Sequence, residues 1–478
     1  MTIWDIDKIC LHASINPSVA GVLIKIKELR TGLGRAEAIR RNISGLREAG
    51  KRVFVYLESP GNLEYMIASS ADKIFIPPWS MINLIGLKAE VTFFKNALDK
   101  LGVEAEFKAL GEYKSAAETF TRESMSEPHR NMLDSIIGDL YLQFISNMAK
   151  GRGIEEEKMK GLVDSGPFAA KEALNERLVD EIGYEDDLER KIEESLSLGD
   201  KPRKIRAEGF LRAINVRERL RAIKERIMGS INTIAVVSDS GIITLGESKG
   251  TGEAKALGSQ TLIEILRKVS RDRGIKAIVL RILSPGGSGV ASDLIRHEVK
   301  VISEKKPVVV SMSDVAASGG YLIAVGGKKI VAEPLTLTGS IGVISGKFNL
   351  KSFLTKLGIT KESVTRGERA SMFSSYRGFT DGEEEKLLGI MKSFYEGFVN
   401  EVADARHMDF KNTEELARGR VWTGKQAKEV GLIDELGGLK EAIQLAKKEA
   451  GIPEDVLPTV KFISKPRGLQ LTGLGKGF

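Results

Sequence analysis

Short runs of valine and isoleucine alternate along this chain with longer stretches whose apolar positions recur at helical spacing. Val19-Ala-Gly-Val-Leu-Ile-Lys-Ile and Ile275-Lys-Ala-Ile-Val-Leu-Arg-Ile are two such runs, and each follows a stretch of helical period. Runs of this length are typical of buried strands, and their alternation with amphipathic helices is typical of parallel sheets with helical crossovers. The pattern therefore predicts an α/β protein.

The same pattern occurs twice in the sequence. Tyr65-Met-Ile-Ala-Ser-Ser-Ala parallels Tyr321-Leu-Ile-Ala-Val-Gly-Gly, and residues 178–183 parallel residues 432–437. The separation between matching positions is about 256 residues over most of the length. Because similarity at one fixed separation is the mark of a duplicated unit, we expect two diverged copies of one α/β domain.

These matches predict the division of the chain. We expect an N-terminal repeat over residues 1–199, a basic linker over 200–230, a C-terminal repeat over 231–450 and a tail over 451–478. The second copy opens with a strand at Asn232-Thr-Ile-Ala-Val-Val, but at the common separation Met1 already aligns with Leu257. We therefore expect the first repeat to lack its first strand here, and the natural chain to begin upstream of Met1.

Composition and charge narrow the class of protein. The 478 residues are 42% hydrophobic and 29% charged, which is typical of a folded globular chain. The net charge of +7 is mild, and its concentration between residues 201 and 226 indicates a solvated face or contact with an acidic surface such as anionic lipid. Basic patches interleaved with aromatic residues are missing from the sequence, so nucleic acid is not an expected partner.

Cysteine and membrane signals are sparse. Cys10 is the single cysteine, so a disulfide within one chain and a cysteine metal site are both excluded. The sequence contains no apolar run of the ~18 residues that a membrane-spanning helix needs. Its first residues lack the basic start and apolar core of a signal peptide.

Three segments of the second copy carry candidate chemistry. Ser284-Pro-Gly-Gly-Ser follows a predicted strand, and Gly286 and Gly287 could turn backbone N–H groups toward an oxyanion. Asp314-Val-Ala-Ala-Ser-Gly-Gly places Ser318 among small residues, with the Gly319 N–H beside it. Taken alone, the first segment also fits a simple change of direction, and the second fits a helix start capped by Ser318. Ser340 lies in a polar loop, Thr336-Leu-Thr-Gly-Ser-Ile-Gly, which is uninformative by itself.

A nucleophilic serine needs a base. The chain offers four histidines in contexts that favour surface or structural roles: His12, His129, His297 and His407. A lysine can serve instead if burial lowers its pKa from the ordinary ~10.4. Lys114, in Gly111-Glu-Tyr-Lys-Ser-Ala-Ala, has apolar or small neighbours and is the candidate.

The repeat singles out Ser318 and Lys114 from the other serines and lysines. At the common separation, Asn62 stands in the first copy where Ser318 stands in the second, and Ala370 stands where the first copy has Lys114. Each copy has kept one half of a possible dyad and lost the other. Complementary losses are expected if both copies build one site, so the sequence predicts a composite Ser–Lys site.

With these motifs the chain resembles the signal peptide peptidase A (protease IV) family in its long tandem-repeat bacterial form. The matching segments are Ser284-Pro-Gly-Gly-Ser, Ala316-Ala-Ser-Gly-Gly-Tyr, Leu337-Thr-Gly-Ser-Ile-Gly, Tyr113-Lys-Ser-Ala, Ala403-Asp-Ala-Arg-His and Val421-Trp-Thr-Gly. The resemblance implies two tandem domains of the Clp protease and crotonase type. It also implies a serine endopeptidase without a cofactor, in which Ser318 is the nucleophile, Lys114 the general base and Ser340 a partner of the lysine amine. The oxyanion would be held by N–H groups of Gly287 (or Gly286) and Gly319.

Further expectations follow from the same resemblance. Relatives form bowl-like oligomers on the extracytoplasmic face of the membrane and degrade cleaved signal peptides, so a homo-oligomer, expected as a tetramer, and peptide substrates are implied. The usual amino-terminal membrane anchor is missing from this sequence. Two alternatives stay open at this point: a crotonase-like acyl-CoA enzyme, and a scaffold left inactive by the missing amino terminus.

Overall fold

The structure is a computed structural model that describes residues 2–27, 29–196, 204–227, 232–250 and 255–463. The first repeat contains α1 (Ile3–Ile15), β1 (Gly21–Ile26), α2 (Leu33–Glu48), β2 (Arg52–Leu57), α3 (Asn62–Ala68), β3 (Lys73–Ile76), β4 (Met81–Ile82), α4 (Lys95–Leu101), β5 (Glu104–Leu110), a 3-10 turn (Ser115–Ala117), α5 (Glu118–Thr121), α6 (Glu127–Arg152), α7 (Glu156–Ser165), β6 (Phe168–Ala169), α8 (Ala170–Asn175), β7 (Glu181–Ile182) and α9 (Glu185–Ser195).

Helix α10 (Ala207–Ile227) separates the repeats. The second repeat contains β8 (Thr233–Ser240), β9 (Ile242–Thr244), β10 (Ala256–Gly258), α11 (Ser259–Arg271), β11 (Ile275–Ser284), α12 (Gly289–Ser303), β12 (Val308–Ala317), α13 (Gly319–Ala324), β13 (Lys329–Ala332), β14 (Leu337–Gly339), β15 (Val343–Asn349), α14 (Lys351–Lys356), α15 (Asp381–Arg406), α16 (Phe410–Leu416), β16 (Val421–Thr423), α17 (Gly424–Glu429), β17 (Glu435–Leu436), α18 (Leu439–Glu449) and β18 (Thr459–Ile463).

Each repeat is built on its own sheet, as the duplicated pattern predicts. The first sheet has the strand order β1-β2-β3-β7, and its strands are parallel. The second follows the path β16-β14-β12-β11-β8-β18, with β13 branching from β12 and β17 pairing with β13. Strands β11 and β12 are buried along nearly all of their length because helices cover both faces of the sheet, which is the usual reason for continuous apolar runs in parallel strands.

The repeats differ at the edge where the sequence predicts a missing strand. Strand β11 pairs with β12 on one side and with β8 on the other. Its counterpart β1 pairs only with β2 among the described residues. Beyond residue 450, β18 pairs in parallel with β8 and extends the second sheet, while residues 464–478 of the expected tail lie outside the described part.

The segment expected as a basic linker holds α10, and residues 200–203 and 228–230 of that segment lie outside the described part. Ile214 of α10 is buried, and Lys8 of α1 donates a hydrogen bond of 2.6 Å to Asn215. Helix α10 therefore packs on the first helix of the chain through one of its faces.

Several contacts dock the repeats against each other, and two of them lie close to the candidate nucleophile and base. Strand β5 of the first repeat pairs in antiparallel fashion with β15 of the second. At the start of α2, the backbone N–H of Arg35 donates to the Asp314 carboxylate at 2.8 Å, and the Arg35 Nε donates to it at 2.6 Å. Because Asp314 lies on β12 four residues before Ser318, this contact fixes the first repeat beside the end of the strand that carries the candidate nucleophile.

Candidate active site

Ser318 lies at the junction between β12 and α13. Its backbone has φ +53° and ψ −121°, a conformation that residues other than glycine rarely adopt. The Ser318 N–H donates to the Gly339 carbonyl at 2.8 Å, which holds this strained turn against the end of β14. Strain of this kind persists only where the surroundings enforce it, and it concentrates at functional positions.

Lys114 reaches the same place from the other repeat. It follows β5 and begins the 3-10 turn, and it is only 8% exposed. Its Nζ lies 3.0 Å from Ser318 Oγ, 2.7 Å from the Ser340 carbonyl oxygen and 2.9 Å from Ser340 Oγ. Burial lowers the pKa of the Lys114 amine to about 8, because the charged form loses hydration. The structure thus brings together three residues that the sequence analysis selected.

The three neighbours of the Lys114 nitrogen suit a neutral amine. A neutral amine has two N–H donors and one lone pair. The carbonyl and hydroxyl oxygens of Ser340 can accept the two N–H groups, which leaves the lone pair for the Ser318 hydroxyl proton. A carboxylate would favour the charged form, but none hydrogen-bonds to Lys114 among the described residues. The arrangement is therefore compatible with a neutral lysine amine that accepts the proton of a serine hydroxyl.

Ser340 is itself held in an unusual conformation. Its φ is +51°, and its N–H donates to the Arg420 carbonyl at 2.6 Å. The residue before it, Gly339, accepts the hydrogen bond from the Ser318 N–H. One short segment thus connects to the candidate nucleophile through its backbone and to the candidate base through a side chain.

The glycine turn after β11 lies directly against Ser318. A Cβ on Gly286 would come within 2.8 Å of the Ser318 Cβ. The Gly286 N–H donates to Ser284 Oγ at 3.1 Å, and the Gly286 carbonyl accepts from the Ile243 N–H at 2.9 Å. By contrast, the N–H groups of Gly287 and Gly319 have no hydrogen-bond partner within the part of the chain that is described. The geometry thus favours Gly287 over Gly286 as the second oxyanion donor beside Gly319.

One functional segment escaped the sequence analysis: Arg418, Gly419 and Arg420. The Arg418 carbonyl accepts from the Tyr113 N–H at 2.8 Å, and the Arg420 carbonyl accepts from the Ser340 N–H. The Gly419 N–H donates to the Ile341 carbonyl at 2.7 Å. This segment therefore joins the loop of the base to the loop of Ser340. Its only sequence signal is a glycine between two arginines, just before the Val421-Trp-Thr-Gly motif.

The positions that correspond to the dyad in the opposite copies do not form a second site within the chain. Asn62 donates a hydrogen bond from Nδ2 to the Gly86 carbonyl at 2.6 Å and accepts one from the Ile85 N–H at 3.2 Å. Its amide therefore stabilises the loop at residues 85 and 86. Ala370 is exposed on the surface of the second repeat. The chain thus holds one composite arrangement, with the lysine from the first repeat and the serine from the second.

The histidines stand apart from this arrangement. His129 is buried and lies 3.0 Å from the carboxylate of Glu118, and His12 lies 3.8 Å from that of Glu218. His407 ends α15 in a left-handed conformation. Within the described part of the chain, no histidine hydrogen-bonds to Ser318 or Lys114, so the lysine is the basic group in contact with the serine.

Comparison with known proteins finds a peptidase family and several proteases that are similar to this chain. The model of peptidase family S49 matches residues 45–199 and 300–453. "Serine protease SPPA, chloroplastic" from Arabidopsis thaliana is 34% identical over 95% of this chain and 67% of that protein. "Protease 4" from Salmonella typhi is 31% identical over 95% of this chain and 73% of that protein. Among solved structures, a mutant of a membrane-bound stomatin-specific protease aligns over 49% of this chain at 16% identity and a TM-score of 0.30, too weak a likeness to support an inference.

Proposed function

The chain belongs to peptidase family S49, and on this basis we propose that it cleaves peptide bonds with Ser318 as nucleophile and Lys114 as general base. The observation that carries the proposal is the 3.0 Å distance between Lys114 Nζ and Ser318 Oγ, two atoms from different repeats and 204 residues apart in sequence. Membership of a peptidase family and tandem family-model regions also confirm the predicted serine protease class and the two-repeat α/β organisation.

The proposed reaction has two half-reactions, and Lys114 accepts and then donates a proton in each of them. Neutral Lys114 takes the Ser318 proton as Oγ attacks the scissile carbonyl carbon, and the C–O bond forms. The N–H groups of Gly287 and Gly319 hold the oxyanion. When the C–N bond breaks, the lysine gives its proton to the leaving amine. Water then attacks the acyl carbon and passes a proton to Lys114. As the C–Oγ bond breaks, Lys114 returns this proton to Ser318 Oγ and the acid is released.

Two substitutions test the assignment. We expect Ser318→Ala and Lys114→Met each to abolish cleavage of a fluorogenic peptide while circular dichroism and the unfolding temperature stay near those of the parent protein. A serine-directed covalent probe should label the parent but not Ser318→Ala. Peptide cleavage that persists in either purified variant would contradict the dyad.

The other readings of the sequence are less well supported. A crotonase-like acyl-CoA enzyme does not need a Ser–Lys pair, and the family that matches this chain is one of peptidases. An inactive scaffold gives no reason for a buried lysine whose pKa is lowered toward neutrality beside a strained serine. Turnover of a coenzyme A thioester by Ser318→Ala would favour the first alternative over the peptidase.

Substrates and assembly are further parts of the proposal. By family resemblance, we propose that the substrates are remnants of cleaved signal peptides and other short or unfolded peptides. A homo-oligomer, expected as a tetramer, is proposed on the same ground, and light scattering gives the number of subunits. Cleavage of a synthetic signal peptide compared with a polar peptide of equal length tests the substrate class.

We also propose that the protein associates with the extracytoplasmic face of a membrane. None of the helices among the described residues combines the length and the apolar character needed to traverse a bilayer. Helix α10 offers a surface contact instead. Val216, Leu220 and Ile223 lie on one face at helical spacing and are 58%, 62% and 49% exposed. Residues 204–227 carry eight basic and three acidic side chains, which suits anionic headgroups.

Vesicle flotation tests this contact. We expect the protein to float with vesicles that contain phosphatidylserine and to stay behind with pure phosphatidylcholine. The Leu220→Glu variant should lose flotation. Leu142→Glu, at a position that is 64% exposed on α6, is the matched control and should keep it. Equal flotation of the two variants would show that α10 is not the contact.

A further inference from the structure

The hydroxyl of Tyr395 on α15 lies between two groups that contact the far side of the candidate active site. It accepts a hydrogen bond from the Arg418 N–H at 3.2 Å and donates one to Oε1 of Glu414 at 3.2 Å. The rest of the Tyr395 side chain packs against the core of the second repeat. Glu414 lies on α16, and Arg418 follows the end of that helix. One hydroxyl thus connects α15 to α16 and to the segment after it.

Arg418 is held in a strained backbone conformation. Its φ is +48°, which residues other than glycine rarely adopt. The Tyr395 hydroxyl accepts from its N–H, and the Glu414 carboxylate accepts from its guanidinium, with Nη2 at 3.0 Å. Strain of this kind persists only where the surroundings enforce it. Tyr395 and Glu414 therefore stabilise the conformation that sets the direction of the Arg418 carbonyl.

The Arg418 backbone supports the turn that carries the candidate base. Its carbonyl accepts from the N–H of Tyr113, the residue before Lys114, at 2.8 Å. A Cβ on Gly111 would lie 2.3 Å from the Arg418 carbonyl carbon, so the start of the turn also packs on this peptide. The Lys114 N–H closes the turn by donating to the Gly111 carbonyl at 2.9 Å. A displaced Arg418 carbonyl would therefore displace the whole turn.

The pKa of Lys114 depends on how deeply this turn holds the side chain. Its pKa is lowered because burial removes water from the charged amine. The charged groups that face the Tyr395 hydroxyl are Glu414 and Arg418, and neither hydrogen-bonds to the Lys114 amine among the described residues. If the turn moves outward, the amine regains water and its pKa rises toward the ordinary value. The position of the turn thus affects both the geometry and the protonation of the base.

The first repeat has a tyrosine at the equivalent place but does not use its hydroxyl in this way. Helices α6 and α15 have 26 residues each and end at left-handed residues 153 and 407, so Tyr141 corresponds to Tyr395. At the same separation of 254 residues, Asp164 replaces Arg418 and Lys160 replaces Glu414. The Tyr141 hydroxyl makes no hydrogen bond within the described ranges. The hydrogen-bonded hydroxyl therefore occurs in the repeat that faces the lysine turn.

We propose that Tyr395 is a positioning residue for the general base. Its hydroxyl holds the backbone of Arg418, and the Arg418 carbonyl holds Tyr113 and with it Lys114 beside Ser318. Tyr395 acts through these residues, since it hydrogen-bonds to neither member of the dyad in the described part of the chain. The inference rests on the proposed role of Lys114 as the base.

Deleting the hydroxyl tests this role. We expect Tyr395→Phe to lower kcat about tenfold with little change in KM, and to move the midpoint of the pH profile of kcat/KM above that of the parent. The midpoint should rise because a displaced Lys114 is less buried. Tyr141→Phe is the matched control and should keep the kcat and the midpoint of the parent. Labelling of Ser318 to completion with a serine-directed probe gives the number of active sites per sample.

Glu414→Ala tests the same hydrogen bonds from the surface. The Glu414 side chain is 28% exposed, so we expect the variant to fold even if Tyr395→Phe does not. Loss of a negative charge would by itself lower the pKa of a nearby lysine, whereas displacement of Lys114 would raise it. A higher midpoint is therefore specific to displacement. Glu415→Ala, at the exposed neighbouring position, is the control and should behave as the parent does.

The outcomes separate this inference from the proposed dyad. If cleavage requires both Ser318 and Lys114 but the midpoint is unchanged in Tyr395→Phe and in Glu414→Ala, the role of Tyr395 is wrong and the dyad stands. An equal effect of Tyr141→Phe would likewise overturn it, because a general loss of stability would then be the cause. Cleavage that survives Lys114→Met would contradict the dyad and this inference together.

Discussion

Gly419 lies against the backbone of Lys114 so closely that it leaves no room for a side chain. A Cβ on this glycine would come within 2.5 Å of the Lys114 backbone nitrogen and 2.6 Å of its Cβ. The glycine belongs to the second repeat and the lysine to the first. The position of the proposed base therefore depends on a residue that carries no chemistry of its own.

We expect Gly419→Ala to move Lys114 away from Ser318 and to lower kcat on the order of 10²-fold, because small misplacements of a reacting group are costly. Peptide cleavage by the purified variant measures this. Gly153→Ala is the matched control: Gly153 also has positive φ, +63°, but its Cβ would meet nothing within 4 Å. An equal loss of kcat in both variants would mean that backbone strain, and not displacement of Lys114, causes the effect.

The lowered pKa of Lys114 predicts the pH dependence of cleavage. Only the neutral amine can accept the Ser318 proton, and its pKa is lowered to about 8 by burial. kcat/KM should therefore rise with pH and reach half its maximum near pH 8, and at about pH 6 it should be about a hundredfold below that maximum. The peptide substrate should have no titrating side chain, so that the profile reports the protonation of the protein and not of the substrate. A profile that is flat across this range would rule out the lysine as the base.

Ser340 should affect the rate without affecting substrate affinity. Its hydroxyl lies 2.9 Å from Lys114 Nζ, so its proposed role is to orient the amine and not to bind the peptide. We expect Ser340→Ala to lower kcat about tenfold or more with little change in KM. Ser345→Ala on β15 should leave both constants near those of the parent. A rise in KM with unchanged kcat would place Ser340 in substrate binding instead.

Glu333 predicts a pH dependence of stability at the contact between the repeats. This fully buried carboxyl accepts from Arg41 at 2.9 Å, and burial raises its pKa to about 7. A raised folded-state pKa means that its contribution is largest at low pH and is lost as pH rises through about 7. As pH rises to about 7, the free energy of unfolding should therefore fall less in Glu333→Gln than in the parent protein. The difference should be on the order of 1–3 kcal/mol.

The control for Glu333 is its neighbour Glu441, which also accepts from Arg41 at 2.9 Å. The pKa of Glu441 is lowered: burial opposes ionisation, but Arg41 and the Gly438 N–H together favour the carboxylate more strongly. Its contribution is fully present above the ordinary carboxyl pKa of 4.5 and is lost only as pH falls through the lower folded value. Glu441→Gln should therefore leave the fall toward neutral pH unchanged and reduce the loss of stability at acidic pH. Urea unfolding at several pH values distinguishes the two. Identical slopes for both variants would show that neither carboxyl titrates as described.

The sequence was sufficient to predict some parts of the site and not others. Ser318 and Lys114 could be found because the duplication exposes Asn62 and Ala370 in their places. Gly419 could not, because its role is a contact between distant segments and its side chain is a hydrogen. The choice between Gly286 and Gly287 likewise depends on a hydrogen bond to Ser284 that only the folded turn reveals.

The fold shows the same limit. Apolar periodicity and repeat matching were enough for parallel sheets in two copies, since both signals can be read directly from the sequence. The pairing of β5 with β15 is different, because it joins segments more than 200 residues apart and from non-equivalent parts of the repeat. The segments at the matching positions of the opposite repeats, residues 87–93 and 360–366, have no strand conformation in the single chain, so sequence correspondence alone does not predict which segments pair.

The division of the proposed dyad between the repeats also determines when during synthesis both of its residues are present. A ribosome that has made only the first repeat has produced the lysine but neither Ser318 nor Ser340. The unfinished chain therefore lacks the proposed nucleophile, however well its first sheet has folded. The proposed dyad can therefore form only after the second sheet has been synthesised and has docked on the first.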